Sequence, residues 1–233
     1  MDLFENYVKK YDMNDTMIKR KYHHSFRVQT LCELIAKDLD MDAEDIRIAS
    51  LCGIFHDIAR FKQAKLFHTF NDLNSINHGD EGAIIFQNEF SDKLGLDEEK
   101  KQIIIKAIKY HNKINIGDDV NEKEELFCKI LRDADKVDVL YLLATDSGLL
   151  KKTDGPISEE CEHSFMNKQS INIKVIKNGT EKNILSLAFL WDINFDISKK
   201  IIKDNKYYQK IEKNLNNEIY NKYFQLIYES LEV

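Results

Sequence analysis

The sequence predicts an all-α protein, and three observations support that fold class. The chain has 233 residues with one proline and 8 glycines, whereas average usage would give roughly 12 prolines and roughly 16 glycines. A sandwich or barrel needs a turn about every 8–12 residues, and this chain has too few turn residues for one. Apolar residues recur at helical spacing along most of the chain. We therefore expect a single-domain helical bundle over residues 1–233.

Five helices are predicted before residue 145, each from an apolar stripe or a capping residue. Asp97 is the expected N-cap of one, because two glutamates follow it near the positive end of the helix dipole. Asn121 and Glu124 have the spacing of a capping box at the start of another. Segment 62–77 is predicted to be irregular. The five predicted helices cover about residues 22–39, 42–57, 79–90, 97–111 and 123–144.

The C-terminal third gives a mixed pattern. Residues 151–170 contain the proline and are predicted to form a loop. Residues 171–176 alternate apolar and polar side chains before Asn178 and Gly179, which is a hairpin signal. A small β-hairpin near 171–186 is one interpretation, and a helix over 181–191 is the other. A helical stretch is predicted from residue 196 onward. Its candidate buried residues are Ile201, Tyr208, Ile211, Leu215, Ile219 and Leu226.

Charge and composition argue against several function classes. The formal net charge of −6 disfavours a broad electrostatic contact with a nucleic-acid duplex. No apolar run approaches 18 residues, so we expect no membrane span, and the acidic N-terminus does not resemble a secretion signal. The cysteines lack C-x-x-C spacing, which favours reduced core thiols in a cytoplasmic protein. They are Cys32, Cys52, Cys128 and Cys161.

Ionisable residues face the predicted core from four separate helices. His24, His111 and Asp135 each lie on an apolar stripe. His56 and Asp57 lie at the end of an apolar helix, where an unpaired carboxylate would be costly. A divalent cation bound by side chains from facing helices would satisfy all of them at once. Nitrogen and oxygen ligands without a thiolate suit Fe, Mn, Co, Ni or Zn, and suit Mg less well.

Five short motifs contain these residues. They are HSFRV at 24–28, FHDIARF at 55–61, SINHG at 75–79, IKYH at 108–111 and RDADK at 132–136. In this order the motifs resemble the HD-domain superfamily of metal-dependent phosphohydrolases. HDIARF followed by FNDLNSINHG also resembles a bacterial subgroup of small stand-alone HD proteins. The resemblance implies a metal-binding core at 20–145 and a C-terminal helical extension at 146–233.

The resemblance also implies a ligand set for one or two divalent ions. The ligands of the first ion correspond to His24, His56, Asp57 and Asp135. His78 and His111 correspond to the extra ligands of the two-metal members, in which Asp57 bridges the ions. The family spacing favours His24 over His23, and Asp135 over Asp133. His68 and His163 match no family position.

The implied activity is hydrolysis of a phosphomonoester or phosphodiester, with a nucleotide among the candidates, by a metal-activated hydroxide. Asp57 would hold the ions. Three cations are candidates for holding phosphoryl oxygens: Arg60 follows His56 by one helical turn, Arg27 follows His24, and Lys136 follows the last ligand. For each cation a surface salt bridge is the alternative. No Gly-Tyr-Pro and no Glu-Asp pair follow the HD motif, which disfavours the cyclic-di-GMP phosphodiesterases and the alarmone hydrolases.

Two other functions stay open. One is a metal-stapled nucleotide-binding or regulatory module without turnover, and the other is a di-iron oxygenase. The expected partner is a small phosphorylated substrate, without a nucleic-acid duplex or a membrane. A homodimer through the C-terminal tyrosines is a further candidate. Substrate choice is expected to depend on segment 62–77 and on the C-terminal third.

Overall fold

The structure is a computed structural model that describes residues 2–232, and within them all regular structure is helical, which confirms the all-α prediction. None of the described helices is both long enough and apolar enough to span a bilayer. Contacts divide the chain after Asp135 into two compact units. The single domain and the 20–145 core stay predictions.

The first unit contains the predicted helices and two that were not predicted. The helices that begin in it are α1(Asp2–Val8), α2(Thr16–Asp38), α3(Ala43–Phe55), α4(Ile58–Phe67), α5(His78–Glu89), α6(Glu98–Tyr110) and α7(Glu122–Thr145). Helix α1 was missed, although Phe4 and Tyr7 bury their rings from it. The boundary between the units falls inside α7.

The capping residues confirm three predicted helix starts. The carboxylates of Asp42 and Asp97 each accept a hydrogen bond from the backbone N–H three residues later, at 2.8 and 3.0 Å. At the start of α7, Asn121 and Glu124 each accept from the other's backbone N–H at 2.9 Å. These side chains satisfy N–H groups that the helix itself leaves unpaired. The sequence therefore determines where α3, α6 and α7 begin.

Helices α2 and α3 pack with their backbones in contact. A Cβ atom on Gly53 would lie 2.6 Å from Gln29 Cα and 2.8 Å from Gln29 N, so only glycine fits there. Val28 and Ile35 on α2 and Cys52 on α3 are fully or almost fully buried around this contact. The close approach places His24 on α2 beside the end of α3.

Segment 62–77 was predicted to be irregular, and this is wrong for residues 62–67. Helix α4 continues to Phe67, because Phe61, Gln63 and Ala64 form a buried face that the intervening polar residues obscure in the sequence. His68 ends the helix in the left-handed conformation, with φ of 50°. Residues 68–77 are irregular as predicted, apart from a short 3₁₀ turn at Asp72–Asn74.

The second unit has a helix at Glu159–Met166 inside segment 151–170, which was predicted to be a loop, and the rest of that segment is irregular as predicted. The helices of the second unit are α8(Glu159–Met166), α9(Gly179–Leu187), α10(Asp196–Asp204), α11(Tyr207–Leu215) and α12(Asn221–Leu231). The hairpin near 171–186 is wrong, since Asn178 accepts a hydrogen bond from the backbone of Glu181 at 3.0 Å and caps α9. A Cβ atom on Gly179 would lie 2.2 Å from the Lys152 carbonyl oxygen, so Gly179 serves close packing.

The C-terminal apolar pattern is confirmed in part. Tyr208 and Ile211 are buried as predicted, whereas Ile219 is 37% exposed. Ile219 lies in a 3₁₀ turn between α11 and α12, which rotates it outward and turns Tyr220 inward. Of the other predicted residues, Ile201, Leu215 and Leu226 are half-buried.

The four cysteines are free thiols and all are buried, as the sequence predicts. Burial raises the pKa of Cys128 and of Cys161, each to about 12. Burial also raises the pKa of the Cys32 and Cys52 thiols, in both cases well above the usual value. These cysteines therefore behave as small apolar core residues.

Candidate metal centre

The six predicted ligands come together in the first unit, from five helices or their ends. Helices α2, α5 and α7 carry His24, His78 and Asp135. His56 and Asp57 form the turn between α3 and α4, and His111 caps the C-terminal end of α6. The side chains are almost fully buried, except that of Asp135, which is 21% exposed.

Four of the side chains form a first group. His24 Nε2 lies 3.1 Å from His56 Nε2 and 3.1 Å from Asp135 Oδ1. Asp57 Oδ2 lies 3.4 Å from His24 Nε2 and 3.3 Å from His56 Nε2. Ligand atoms bound to one ion at about 2.1 Å lie roughly 3.0 to 3.4 Å apart. These four distances therefore match a set of ligands around one ion, and His56 Nε2 lies slightly farther, 3.7 Å, from Asp135 Oδ1.

A second group lies on the other side of Asp57. His78 Nε2 and His111 Nε2 are 3.1 Å apart. They lie 3.5 and 3.8 Å from Asp57 Oδ1, the carboxylate oxygen that does not face the first group. Asp57 thus directs one oxygen toward each group, as a carboxylate that bridges two ions would.

Backbone carbonyls determine which ring nitrogens face the centre. His56 Nδ1 lies 2.7 Å from the Gly53 carbonyl oxygen, and His111 Nδ1 lies 2.7 Å from the Ile108 carbonyl oxygen. A carbonyl only accepts, so each Nδ1 carries a proton and donates it. When such a ring is neutral, its Nε2 lone pair faces the site, which is the arrangement a metal ligand needs.

For His78, a side chain rather than a backbone carbonyl accepts the hydrogen bond from Nδ1. Its Nδ1 lies 2.5 Å from Asp72 Oδ2, so it donates to this carboxylate. Burial lowers the pKa of His78 to about 3, and burial also lowers the pKa of His111. The lone pairs of two neutral rings therefore face each other at 3.1 Å, which a bound cation would relieve. The donor set thus fits a divalent ion here.

The carboxylates of the site stay ionised. Burial alone would raise the pKa of Asp57, but Lys21 and the neighbouring histidines lower it well below its usual value. Burial opposes ionisation of Asp135 too, yet hydrogen bonds from His24 and His56 lower the pKa of that group strongly. Charged oxygen ligands are what hard and borderline cations prefer.

Arg60 and Lys21 border the site, and of these only Arg60 was predicted. Arg60 on α4 has its Nε 3.4 Å from Asp57 Oδ1. Lys21, which the sequence analysis missed, donates a hydrogen bond to Asp57 Oδ2. Lys21 Nζ and Arg60 Cζ each lie 5.4 Å from the centre of the Phe70 ring. Lys21 precedes His24 by three residues, so helical spacing could have revealed it.

The other two predicted cations lie on α2 and α7. Arg27 is half-buried, three residues after His24. Lys136 forms an ion pair with Asp192 at 2.6 Å, inside the second unit. Contact of either residue with a substrate stays a prediction. His68 and His163, which matched no family position, are exposed.

Comparison with known proteins agrees with this geometry. The HD domain family model matches residues 22–140, which is about half of the chain and includes all six converging side chains. No curated protein and no solved structure matches the chain. The chain belongs to the HD domain family and, with it, to the superfamily of HD-domain metal-dependent phosphohydrolases.

Proposed function

We propose that the protein is a two-metal phosphohydrolase that cleaves a phosphomonoester or phosphodiester bond in a small substrate. The observation that carries the proposal is the position of Asp57. One of its oxygens faces the nitrogens of His24 and His56, and the other faces those of His78 and His111. A site for a single ion would not need the second pair of histidines.

Bound divalent ions would supply an activated water and would neutralise charge on the phosphoryl oxygens. The residues of this chain would do the rest. Asp57 would hold both ions and keep them close together. Lys21 and Arg60 would donate hydrogen bonds to phosphoryl oxygens, because both lie beside Asp57 and both reach the edge of the site at Phe70.

These two cations favour an anionic substrate over molecular oxygen. The side chains of Lys21 and Arg60 are 16% and 13% exposed, so both are held largely out of water. Partly buried ammonium and guanidinium groups beside a metal centre suit a phosphate, which carries negative charge and accepts hydrogen bonds.

The test combines metal analysis of the purified protein with a screen for phosphate release. The screen contains phosphomonoesters and both linear and cyclic nucleotides, and it is run with and without oxygen. We expect two ions per chain and oxygen-independent hydrolysis. His56→Ala and Asp57→Ala should lose metal and lower turnover by at least about 10³-fold, as expected when a metal-activated nucleophile is removed.

The matched control is His163→Ala, which removes an exposed histidine from α8 and should leave metal content and turnover unchanged. Hydrolysis that persists in both site variants would overturn the proposal. Turnover that requires oxygen would favour the oxygenase. Tight nucleotide binding without product would favour the regulatory module.

A further inference from the structure

The second group of ligands depends on a carboxylate outside the ligand set. We propose that Asp72 is a positioning residue that orients His78 for the second ion and links the occupancy of that ion to the position of Arg60. The inference rests on the two-metal site proposed above. Asp72 lies in the 3₁₀ turn between α4 and α5, inside the FNDLNSINHG motif, in which the resemblance implied a role for His78 only.

Asp72 holds His78 at two points. Its Oδ2 accepts from His78 Nδ1 at 2.5 Å and lies 3.4 Å from the backbone nitrogen of His78. A charged acceptor on the outer nitrogen orients the ring and makes the inner nitrogen a stronger ligand. His56 and His111 have neutral carbonyl oxygens at the same position. His78 is therefore the one histidine of these three that relies on a charged side chain.

The same carboxylate also holds Arg60. Asp72 Oδ1 accepts from Arg60 Nη1 at 3.0 Å and from Gln63 Nε2 at 3.0 Å. Asn112 Nδ2 donates to Oδ2 at 3.0 Å. Both oxygens of Asp72 are thus engaged by donors from α4, from α5 and from the segment after α6. The carboxylate cannot turn toward one partner without weakening its bonds to the others.

Gln63 keeps the Asp72 segment in place. Its side chain is fully buried on α4. Besides Asp72, its Nε2 lies 2.7 Å from Ser75 Oγ and 3.2 Å from the Ile76 carbonyl oxygen. Its Oε1 accepts from Arg60 Nη1 at 2.6 Å. Protein contacts alone therefore fix Asp72, which is the preorganisation that a positioning residue requires.

His78 and Arg60 thus share one negative charge. An ion bound by His78 and the guanidinium of Arg60 would both draw on the Asp72 carboxylate, so a change at one must affect the other. The first group is built on α2, α3 and α7. Loss of the Asp72 charge should therefore weaken the second ion selectively.

The experiment is a Mn²⁺ titration of wild type and Asp72→Asn, followed by calorimetry and by the spectroscopic signal of an exchange-coupled Mn²⁺ pair. We expect the affinity for the second ion to fall by about 10- to 100-fold, with the first ion unchanged and the coupled signal reduced. The matched control is Asp80→Asn, because Asp80 also lies at the start of α5 but pairs with Lys113 at 2.6 Å on the surface. That variant should bind both ions like wild type.

A second variant separates positioning from a merely structural role. Arg60→Ala removes the cation that competes with His78 for Asp72 and should tighten the second ion several-fold more than the first. Damage to the fold would instead weaken both ions. This variant also keeps the proposal testable if Asp72→Asn does not fold.

The outcomes distinguish this inference from the proposed function. Wild-type affinity and an unchanged coupled signal in Asp72→Asn would overturn the role of Asp72 and leave the two-metal site intact. A wild type that binds one ion only would overturn both proposals. Two ions in wild type with selective loss in Asp72→Asn would support the role of Asp72, even if none of the tested phosphoesters is hydrolysed.

Discussion

The two halves of the metal centre are held by different kinds of structure. In the first half, backbone contact between α2 and α3 sets the distance from His24 to His56, and a backbone carbonyl fixes the ring of His56. In the second half, His78 takes its orientation from Asp72 in an irregular segment. Helices whose backbones are in contact cannot shift easily, whereas one substitution in a side-chain network can change the orientation of the ligand that it holds. We therefore expect the first half to be rigid and the second half to be adjustable.

The two halves also differ in how their histidines bind protons. Burial disfavours the charged form of His56, but Asp57 and Asp135 outweigh it and raise its pKa. Burial dominates at His78 and, with Arg60 nearby, lowers its pKa to about 3. In the metal-free protein, the ring of His56 in the first half therefore binds a proton more readily than a free imidazole, whereas the ring of His78 in the second half resists protonation.

The largest effect should come from breaking the backbone contact of the first half. In Gly53→Ala the new Cβ would lie 2.6 and 2.8 Å from backbone atoms of Gln29, so α2 must move. Overpacking of this kind costs about 1–3 kcal/mol, and the shift of His24 should weaken the first ion. Urea unfolding of the metal-free protein and Mn²⁺ titration measure the two effects.

The matched variant in the second half is Gly79→Ala. Its Cβ would first meet Asn112 Oδ1 at 2.4 Å, the end of a side chain that can move aside only by weakening its hydrogen bond to Asp72 Oδ2. The nearest backbone atom is the Ile108 carbonyl oxygen at 3.1 Å. We expect a smaller loss of stability than for Gly53→Ala. Equal losses would contradict the view that contact between helix backbones holds the first half more rigidly than the second.

The sequence predicted the helical part of the site better than the irregular part. Asp97 and the Asn121 capping box carry local signals, because a cap depends only on residues within one turn. The six converging side chains follow from apolar stripes and from motifs of fixed order. The all-α class follows in the same way from the shortage of proline and glycine.

The rest depends on contacts that are distant in sequence. Asp72 gains its role from Gln63 and Arg60 on the preceding helix, and the FNDLNSINHG motif that contains Asp72 does not show these contacts. Asn178 illustrates the same limit, since Asn-Gly can form a hairpin turn or start a helix. The approach of Gly179 to the Lys152 carbonyl oxygen favours the helix, and that contact is invisible in a local window.

An intermediate effect should appear when the metal-free protein is titrated with acid. We expect the ring of His56 to titrate above about pH 6.5, which is the ordinary pKa of histidine. The ring of His78 should stay neutral until the pH falls to about 3. Imidazole NMR shifts measure both, assigned with His56→Ala and His78→Ala. A His78 ring that titrates near pH 6.5 would contradict the burial argument.

The two rings should also affect stability in opposite directions. The pKa of His56 is raised in the folded state. The contribution of His56 to the free energy of unfolding is therefore complete below about pH 6.5 and is lost as the pH rises through the pKa of the folded state. The pKa of His78 is lowered to about 3. His78 therefore does not lower the free energy of unfolding above about pH 6.5, where the ring is neutral in both states. As the pH falls from there toward 3, the unfolded chain binds a proton that the folded protein does not, so stability decreases.

The smallest effect should come from the N-terminal end of α7, the helix that carries Asp135. Asn121→Ala removes the oxygen that accepts from the backbone N–H of Glu124. Loss of such a cap costs about 1 kcal/mol, or a drop of about 2–4 °C in Tm for a chain of this size. Differential scanning calorimetry of the metal-free protein measures it. Glu124→Gln is the control, because its amide oxygen can still accept from the backbone N–H of Asn121.

Metal binding should not respond to the lost cap. Asp135 lies about four helical turns, or roughly 20 Å, from the N-terminus of α7, and fraying is confined to the first turn. Asn121→Ala should therefore bind both ions like wild type, although it is less stable than wild type. Weaker binding of the first ion would mean that stability loss alone impairs the centre. In that case, a lower affinity of Asp72→Asn for the second ion could be assigned to the orientation of His78 only after the change in its stability had been measured and subtracted.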